Sequence, residues 1–222
     1  MNKVIAIDGP AGSGKGTITK IIAEKLHLIY IDTGATYRSI ALAVLRNNIK
    51  LEEKDKIVEL AKSLKIEFDE EGKTYLNGED VSNDIRSVEV TNIVSPISSI
   101  PEIREIMVDL QRKMAQGKDV IMEGRDITTV VFPDTKYKFY LDADVNERAK
   151  RRYLQNKEMN IESDLDEIIE SMKERDYNDM HKPVGALKRT DDQIYIDSTN
   201  MTIDEVVNII ISHIKEISEI EQ

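Results

Sequence analysis

One short stretch limits what this chain can fold into: an apolar run, VIAID, leads into residues 9–15 and then into a helical pattern. The letters GPAGSGK match G-x-x-x-x-G-K, which cradles phosphate groups where it joins a strand to a helix. Glycine lets the backbone approach a phosphate closely, and the free N–H groups of the helix point at the same anion. Lys15 adds a compact positive charge for the outer phosphates. The sequence therefore predicts a triphosphate site; a glycine-rich turn with an exposed lysine is the alternative.

The residue after the loop lysine departs from the general pattern. Ser or Thr is expected there, because its hydroxyl contacts Mg²⁺, but this chain has Gly16 and then Thr17. Thr17 is therefore the candidate contact to Mg²⁺. The resulting stretch GKGT is found in small nucleotide kinases, so the departure points toward that group.

The order of the predicted elements indicates an α/β fold. Short runs rich in Val, Ile and Tyr alternate with longer segments of helical period, as in βαβ units around a parallel sheet. Each run is nearly all apolar, as expected of strands that helices cover on both faces. Thr202 followed by Glu205 predicts a capping box at the start of the last helix. We predict strands at residues 4–8, 28–32, 119–123, 138–142 and 193–197, and helices at about 15–26, 35–48, 53–63, 101–116, 145–156, 164–180 and 202–218.

One segment interrupts this alternation. Within residues 65–81, two short strands flank Glu70–Glu71–Gly72, and Asn77–Gly78 offers a second tight turn. The segment has too few apolar residues for a core of its own. We therefore predict one domain, residues 1–222, with a small antiparallel β insertion.

The composition excludes several classes of function. The chain has 31 Lys and Arg against 42 Asp and Glu, a formal net charge of −11, which argues against binding to nucleic acid or to an anionic membrane. It has no cysteine, so disulfides, thiolate metal sites and cysteine nucleophiles are excluded. The N-terminal apolar run ends at Asp8, which is too short for a signal peptide or a membrane span. From these features we expect a cytoplasmic protein. We also expect a monomer, since no long apolar surface stripe is evident.

Binding a triphosphate does not say where its phosphoryl group goes, and several polar clusters are candidates for an acceptor site. Residues 32–38, DTGATYR, and 123–134, EGRDITTVVFPD, lie at or just beyond strand ends, where open parallel sheets place their ligands. Residues 146–155, NERAKRRYLQ, place three arginines within about one helical turn, and Arg175 and Asp179 are four residues apart. The alternatives are a helix cap, a structural Arg–Asp pair and a solvated helix face.

Taken together, these motifs resemble those of bacterial cytidylate kinases from end to end. In chain order they read GPAGSGKGT, DTGATYR, YLNGEDVSNDIR, EGRDITTVVFP, KERDYNDM and IYIDST. Their order and spacing are specific, and the insertion is itself a mark of this family among nucleoside monophosphate kinases. The resemblance implies a P-loop kinase with a five-stranded parallel sheet flanked by helices and a small antiparallel β insertion. It also implies transfer of a phosphoryl group from ATP, with Mg²⁺, to CMP or dCMP.

The resemblance also implies divisions of the chain and site residues. The core would comprise residues 1–64 and 96–222, the monophosphate-binding insertion about 65–95, and a mobile lid about 146–180. The ATP site would contain Gly9, Pro10, Ala11, Gly12, Ser13, Gly14, Lys15, Gly16, Thr17 and Arg152. The CMP site would contain Thr33, Tyr37, Arg38, Ser95, Arg104, Gly124, Arg125, Asp126, Arg175, Asp179 and Lys182. The catalytic residues would be Lys15, Arg125, Arg148, Arg151 and Arg175.

Within the implied CMP site each motif has its own task. Arg125 and Asp126 would address the cytosine ring, with Ser95 beside it. Arg38 and Arg104 would clamp the acceptor phosphate. Asp179 would meet the sugar and Arg175 the phosphates, while the arginines of residues 146–155 would close over ATP.

Two positions depart from the family pattern. The family usually has arginine where this chain has Lys182, which keeps the charge but loses the bidentate fork. It commonly has aspartate where this chain has Glu123, a candidate carboxylate beside Mg²⁺, and the extra methylene shifts water or metal placement.

The reaction class has two alternatives. A small P-loop kinase acting on shikimate or dephospho-coenzyme A shares the glycine loop, but it does not account for the insertion joined to EGRDITTVVFP. A switch that binds ATP and relays a conformational signal would need no small-molecule acceptor. For a phosphate acceptor we expect no general base, because its second pKa is about 6 and it is mostly ionised at neutral pH.

Overall fold

The computed structural model describes residues 3–69 and 71–220. The outer limits of the predicted domain, residues 1, 2, 221 and 222, lie outside the described residues. The centre of the fold is a five-stranded, all-parallel sheet made of β1 (Val4–Asp8), β2 (Ile29–Asp32), β6 (Val120–Gly124), β7 (Tyr137–Asp142) and β8 (Ile194–Asp197), and the insertion holds β3 (Ile66–Phe68), β4 (Thr74–Leu76) and β5 (Glu79–Asp80). The strands of the parallel sheet lie in the order β2-β6-β1-β7-β8. The helices are α1 (Lys15–Leu26), α2 (Thr33–Arg46), α3 (Lys54–Ser63), α4 (Val88–Ser98), α5 (Pro101–Ala115), α6 (Val145–Glu158), α7 (Leu165–His181) and α8 (Ile203–Ile220).

Helices cover both faces of the sheet, which explains why its strands are apolar throughout. Alternate residues of β1 face opposite sides: Ile5 and Ile7 pack in a cluster with α1 and α8, whereas Ala6 packs with α5. The predicted α/β class and the parallel sheet are confirmed. No helix within residues 3–69 and 71–220 has the length and hydropathy needed to cross a bilayer.

Most predicted element boundaries agree with the structure to within two residues. Helix α1 has the predicted limits, and the capping box is formed because Thr202 and Glu205 exchange hydrogen bonds through side chain and backbone. Helix α2 begins at Thr33 rather than 35. Its start is set by Asp32, whose carboxylate accepts a hydrogen bond from the Ala35 N–H at 3.1 Å, as an N-cap residue does.

The insertion contains the predicted antiparallel strands, with β4 between β3 and β5. Glu70 of the predicted turn lies outside the described residues. A helix that the sequence analysis did not predict, α4, follows and extends past residue 95. Its run of β-branched residues and Pro96 disfavour a helix locally, but Val90, Val94 and Ile97 recur at helical spacing and are buried against α2. Tertiary packing therefore outweighs local propensity.

Candidate active site

The glycine loop lies between β1 and α1, at the carboxyl edge of the sheet. Gly12 and Gly14 have φ of +76° and +90°, a conformation in which residues with a Cβ are strained. The buried Lys15 ammonium lies inside the loop and donates to the carbonyls of Gly9 and Pro10 at 2.8 and 2.7 Å and to the Ser13 hydroxyl at 3.2 Å. The cation is thus held in place next to the free N–H groups of the first helical turn.

Electrostatics favour an anion at this position. Burial, followed by the charge of the Arg125 guanidinium, lowers the pKa of Lys15 to about 7. A polyanionic ligand favours the charged form of the lysine and offsets both effects. The loop therefore has the geometry and the charge of a triphosphate site.

The structure explains the glycine after the loop lysine. A Cβ at Gly16 would lie 3.0 Å from Glu123 Oε1, and the Tyr30 hydroxyl donates to the same oxygen at 2.5 Å. Burial, with the nearby Asp32 charge, raises the pKa of Glu123. Gly16 therefore leaves space for a glutamate that the tyrosine holds, while Thr17 is exposed and lines the cleft.

A carboxylate on β2 holds two arginines that come from different parts of the chain. Asp32 Oδ2 pairs with Arg38 Nη2 at 2.6 Å and with Arg86 Nη2 at 3.3 Å. Both arginines line the cleft. Arg86 comes from the insertion, where it ends the stretch YLNGEDVSNDIR, but the sequence analysis assigned it no role in the site. Arg38 Nε is buried without a hydrogen-bond partner.

Arg104 and Asp126 form a buried ion pair, and each side chain is almost fully enclosed. The Arg104 guanidinium also donates to the Ser98 carbonyl at 3.3 Å and lies over the Tyr37 ring, 5.4 Å from its centre. Burial raises the pKa of Asp126, and the Arg104 charge opposes this rise. Arg104 Nε is buried without a partner, which is costly unless a ligand uses it.

The backbone of the loop after α7 covers this pair. A Cβ added to Gly185 would fall inside the van der Waals contact distance of the Arg104 guanidinium, and Gly185 has a φ of +66°. The loop is held to α7, since Leu187 N–H donates to the Asp179 carbonyl at 2.8 Å. We call residues 182–187 the covering loop.

A second buried carboxylate joins α7 to the turn after β6. Asp179 Oδ2 accepts from Arg125 Nε at 2.8 Å, and its other oxygen pairs with Lys182 Nζ at 3.0 Å. Despite burial, these two charges lower the pKa of Asp179 to about 2. Lys182 also donates to the Ser98 hydroxyl at 3.1 Å, so it joins both carboxylate clusters.

Three guanidinium groups lie close enough to repel one another. Burial lowers the pKa of Arg175, and the charges of Arg125 and Arg38 lower it further. The charge of Arg125 also lowers the pKa of Lys15, after burial, the larger cause. Such a concentration of positive charge in an acidic protein is the arrangement expected for binding phosphate groups.

The three arginines of α6 have different surroundings. Arg148 is buried and donates to the carbonyls of Ala11 and Ala143, both at 2.8 Å, and to Asp176 at 2.6 Å. Arg151 bonds to Glu147 and to the Ser198 carbonyl, at 3.1 and 2.8 Å. Arg152 is exposed and contacts the Gln155 side chain at 3.1 Å. Arg148 therefore ties α7 to the glycine loop, and the predicted closure of a lid over ATP stays a prediction.

The remaining predicted residues lie around the same region. Thr33 donates through its hydroxyl to the Glu123 carbonyl at 2.7 Å. A Cβ at Gly124 would come within 2.7 Å of that hydroxyl and of Ile127, so this position needs glycine. Ser95 lies on α4, where its carbonyl accepts from the hydroxyls of Ser98 and Ser99.

Part of this region lines one large cleft, whereas Lys15, Arg104, Arg125, Asp126, Asp179 and Lys182 are not among its lining residues. The volume of the cleft is about 1460 Å³, and pockets for one small ligand are commonly about 300–1,000 Å³. The cleft is lined by the glycine loop, by α6 and α7, and by arginines from α2, the insertion and both of these helices. It therefore has room for two nucleotides.

Comparison with known proteins agrees with this geometry. A family model described as Cytidylate kinase matches residues 5–216. A protein named cytidylate kinase from Caldanaerobacter subterraneus subsp. tengcongensis is 49% identical over 203 residues, which cover 91% of this chain and 90% of that protein. Another of the same name from Fusobacterium nucleatum subsp. nucleatum is 48% identical over 218 residues, covering 97% of this chain and 99% of that protein.

Among solved structures, a similar fold occurs in an uncharacterised protein from Eubacterium ventriosum. It has a TM-score of 0.53 at 14% sequence identity and covers 96% of this chain and 99% of that chain. At this level of identity the comparison concerns the fold alone.

Proposed function

The chain belongs to the cytidylate kinase family, and we propose on that premise that it transfers the γ-phosphoryl group of ATP to CMP or dCMP. The products are ADP and CDP or dCDP. The observation that carries this proposal is the convergence of Arg38, Arg125 and Arg175 beside a buried lysine in a glycine loop. These charges suit two phosphate groups that must be brought together for in-line transfer.

The Arg104–Asp126 pair is our candidate for reading the base. Cytosine presents an exocyclic amine beside a ring nitrogen and a carbonyl oxygen, so a carboxylate accepts from the amine while a guanidinium donates to the acceptors. Uracil presents a carbonyl oxygen where cytosine has the amine, and this oxygen would face the Asp126 carboxylate. The buried, unpartnered Arg104 Nε supports this role. The pair therefore favours cytosine.

This assignment differs in two respects from the one that the resemblance implies. Arg104 pairs with Asp126 and lies under the covering loop, so we assign it to the base rather than to the acceptor phosphate. Arg125 pairs with Asp179 and lies near Lys15, so we assign it to the phosphates rather than to the base. Asp179 keeps its proposed role as an acceptor for a sugar hydroxyl.

The chemical step needs little beyond positioning and charge. The acceptor phosphate is largely ionised at neutral pH, so no side chain has to remove a proton. Lys15 holds the outer phosphates of the donor, and the arginines fix the acceptor oxygen in line while they neutralise developing charge. Lys15 is already held by carbonyls, and Arg38 and Arg125 by carboxylates, which limits the reorganisation needed.

The residues beside the loop fit a Mg²⁺ ion that binds together with the nucleotide. No cluster of three or more His, Asp or Glu residues within the described ranges could hold a metal ion, and Mg²⁺ bound with nucleotides commonly keeps waters and uses one or two protein groups. Thr17 would offer its hydroxyl, and Glu123 would hold a coordinated water. The ion would add positive charge on the transferring phosphates.

We also propose that residues 65–95 and 146–180 move to close the cleft, because unshielded ATP would otherwise be hydrolysed. Helices α6 and α7 pack against each other and line the cleft, and Arg86 of the insertion reaches it from the other side. The monomeric state and the cytoplasmic location stay predictions.

A panel of acceptors tests the proposal. Consumption of ATP is measured with CMP, dCMP, UMP, AMP and GMP offered separately, at equal concentrations and with Mg²⁺ present. We expect strong stimulation by CMP or dCMP and weak stimulation by the others. ATP consumption that no monophosphate stimulates would indicate a nucleotide-dependent switch, and stimulation by AMP or GMP alone would refute the base assignment.

A further inference from the structure

A buried carboxylate that no motif predicts lies directly before the glycine loop. Asp8 is fully buried, and it accepts three hydrogen bonds from the turn after β6. The donors are the Ile127 N–H at 2.9 Å, the Thr128 N–H at 2.8 Å and the Thr128 hydroxyl at 2.6 Å. Gly9, the first residue of the phosphate loop, follows Asp8, and Arg125 and Asp126 precede the donors.

The turn needs these contacts because of its shape. Residues 127–131 form one wide helical turn, in which Val131 and Phe132 N–H donate to Asp126 and Ile127 carbonyls five residues earlier. The first N–H groups of such a turn have no partner within it. Asp8 supplies that partner from a different strand, so its carboxylate sets where the turn lies relative to β1.

The network continues to a third segment. Gln193 Nε2 donates to the Thr128 hydroxyl at 2.5 Å and to the Lys188 carbonyl at 3.3 Å, while its oxygen accepts from the Thr190 N–H at 2.8 Å. This segment follows the covering loop directly in sequence. The Thr128 hydroxyl, which donates to Asp8 and accepts from Gln193, therefore joins the Arg125–Asp126 turn both to the residue before the phosphate loop and to the segment after the covering loop.

We propose that Thr128 is a positioning residue for phosphoryl transfer. Through Asp8 it fixes the turn that carries Arg125 and Asp126 against the start of the phosphate loop, and so sets the distance between acceptor and donor. This inference rests on the proposed function. A buried carboxylate is costly compared with an apolar side chain, whereas a fully bonded polar network specifies one geometry.

The neighbouring residue supplies a matched control. The hydroxyl of Thr129 is buried without a hydrogen-bond partner, although it belongs to the same turn. Thr129→Val therefore removes the same atom type at almost the same place and breaks no bond. Thr128→Val removes the hydroxyl, and with it one of the two bonds from Thr128 to Asp8 and the acceptor for Gln193. Thr128→Ser keeps a hydroxyl that can make both contacts.

The experiment compares the wild type, Thr128→Val, Thr128→Ser and Thr129→Val with the monophosphate that the wild type uses best. For Thr128→Val we expect kcat to fall about ten-fold or more and the KM of the acceptor to rise, since small misplacements of reacting groups can cost up to about 100-fold. The Kd for ATP should change less than about two-fold. Thr128→Ser and Thr129→Val should stay within about two-fold of the wild type in all three constants.

Each other result counts against the inference. A Thr128→Val protein with wild-type kcat and KM, or with effects equal to those of Thr129→Val, overturns it, as does a failure of Thr128→Ser to restore activity. If Thr128→Val does not fold, Gln193→Met is measured instead, because it removes the bond to the Thr128 hydroxyl and Gln193 belongs to neither the proposed ATP site nor the proposed monophosphate site. This variant should lower kcat about three-fold or more. An unchanged kcat then overturns the inference. A wild type that phosphorylates a monophosphate other than CMP refutes the proposed substrate and leaves the positioning test intact.

Discussion

The covering loop offers a sharp test of how the base site is built, through the substitution Gly185→Ala. The added Cβ would have as its three nearest atoms the Nη2, Cζ and Nε of Arg104, all far inside the 3.4 Å at which ordinary contact begins. The guanidinium is held by Asp126 and by the Ser98 carbonyl. It therefore cannot move aside without breaking contacts on which the proposed base site depends.

Gly185→Ala should have two separate effects, one on the stability of the protein and one on the KM for CMP. At a φ of +66°, a residue with a Cβ costs about 1–2 kcal/mol relative to glycine, which lowers the Tm of a chain of this size by about 2–8 °C. Displacing Arg104 breaks hydrogen bonds to a charged group, worth about 1.5–3 kcal/mol. That loss raises the KM for CMP about 10- to 100-fold, while the KM for ATP should stay within about two-fold.

Gly78→Ala separates the two effects. Gly78 has a φ of +87°, and a Cβ there would meet nothing within 4 Å, so this variant carries the backbone penalty alone. Thermal unfolding and initial rates with varied CMP and ATP are measured for both variants. A KM for CMP that is equal in the two proteins, or a rise in the KM for ATP as large as that for CMP, would refute the account of the covering loop.

Three further predictions concern the charged groups. Lys15→Ala should lower kcat by two or more orders of magnitude with little change in Tm, because the ammonium acts on the transferring phosphates; near-normal kcat would contradict this role. Asp126→Asn should lower kcat/KM for CMP and lower the ratio of kcat/KM for CMP to that for UMP, since an amide can donate to the uracil oxygen; an unchanged CMP/UMP ratio would mean that another group reads the base. Burial raises the pKa of Asp8 to about 6, and the Thr128 hydrogen bonds oppose this rise. Asp8 needs its charge to accept three donors, so the pH profile of activity should fall below about pH 6. Thr128→Val removes a hydrogen bond that lowers this pKa, so it should move the fall in activity to higher pH. A fall at the same pH in both proteins would exclude Asp8 as its source. The charged groups around Asp8 are Lys15, Arg125 and Asp126.

The sequence predicted those parts of the fold that local rules decide. The limits of α1 follow from a phosphate loop, whose glycines and lysine leave one place for the helix to begin. The parallel sheet follows from five apolar runs separated by helical segments. Helix α4 could not be predicted in this way, because its β-branched residues form a helix only through burial against α2.

The ion pairs within the site could not be predicted from local sequence patterns for another reason. Arg104 and Asp126 are 22 residues apart and Arg125 and Asp179 are 54 apart, so no spacing within one element could reveal which arginine meets which carboxylate. Asp8 did leave a signal, since it is a charged residue at the end of a fully apolar strand. A carboxylate that follows such a strand into the core must find donors from elsewhere in the chain.

The short distance between Gly16 and Glu123 has a consequence for which substitutions the two positions accept. A Cβ at 16, which the commoner serine or threonine of phosphate loops would bring, would lie 3.0 Å from the Glu123 oxygen that the Tyr30 hydroxyl holds. Serine at 16 would therefore require this carboxylate to shift slightly, and a shorter acid at 123 would relieve the crowding.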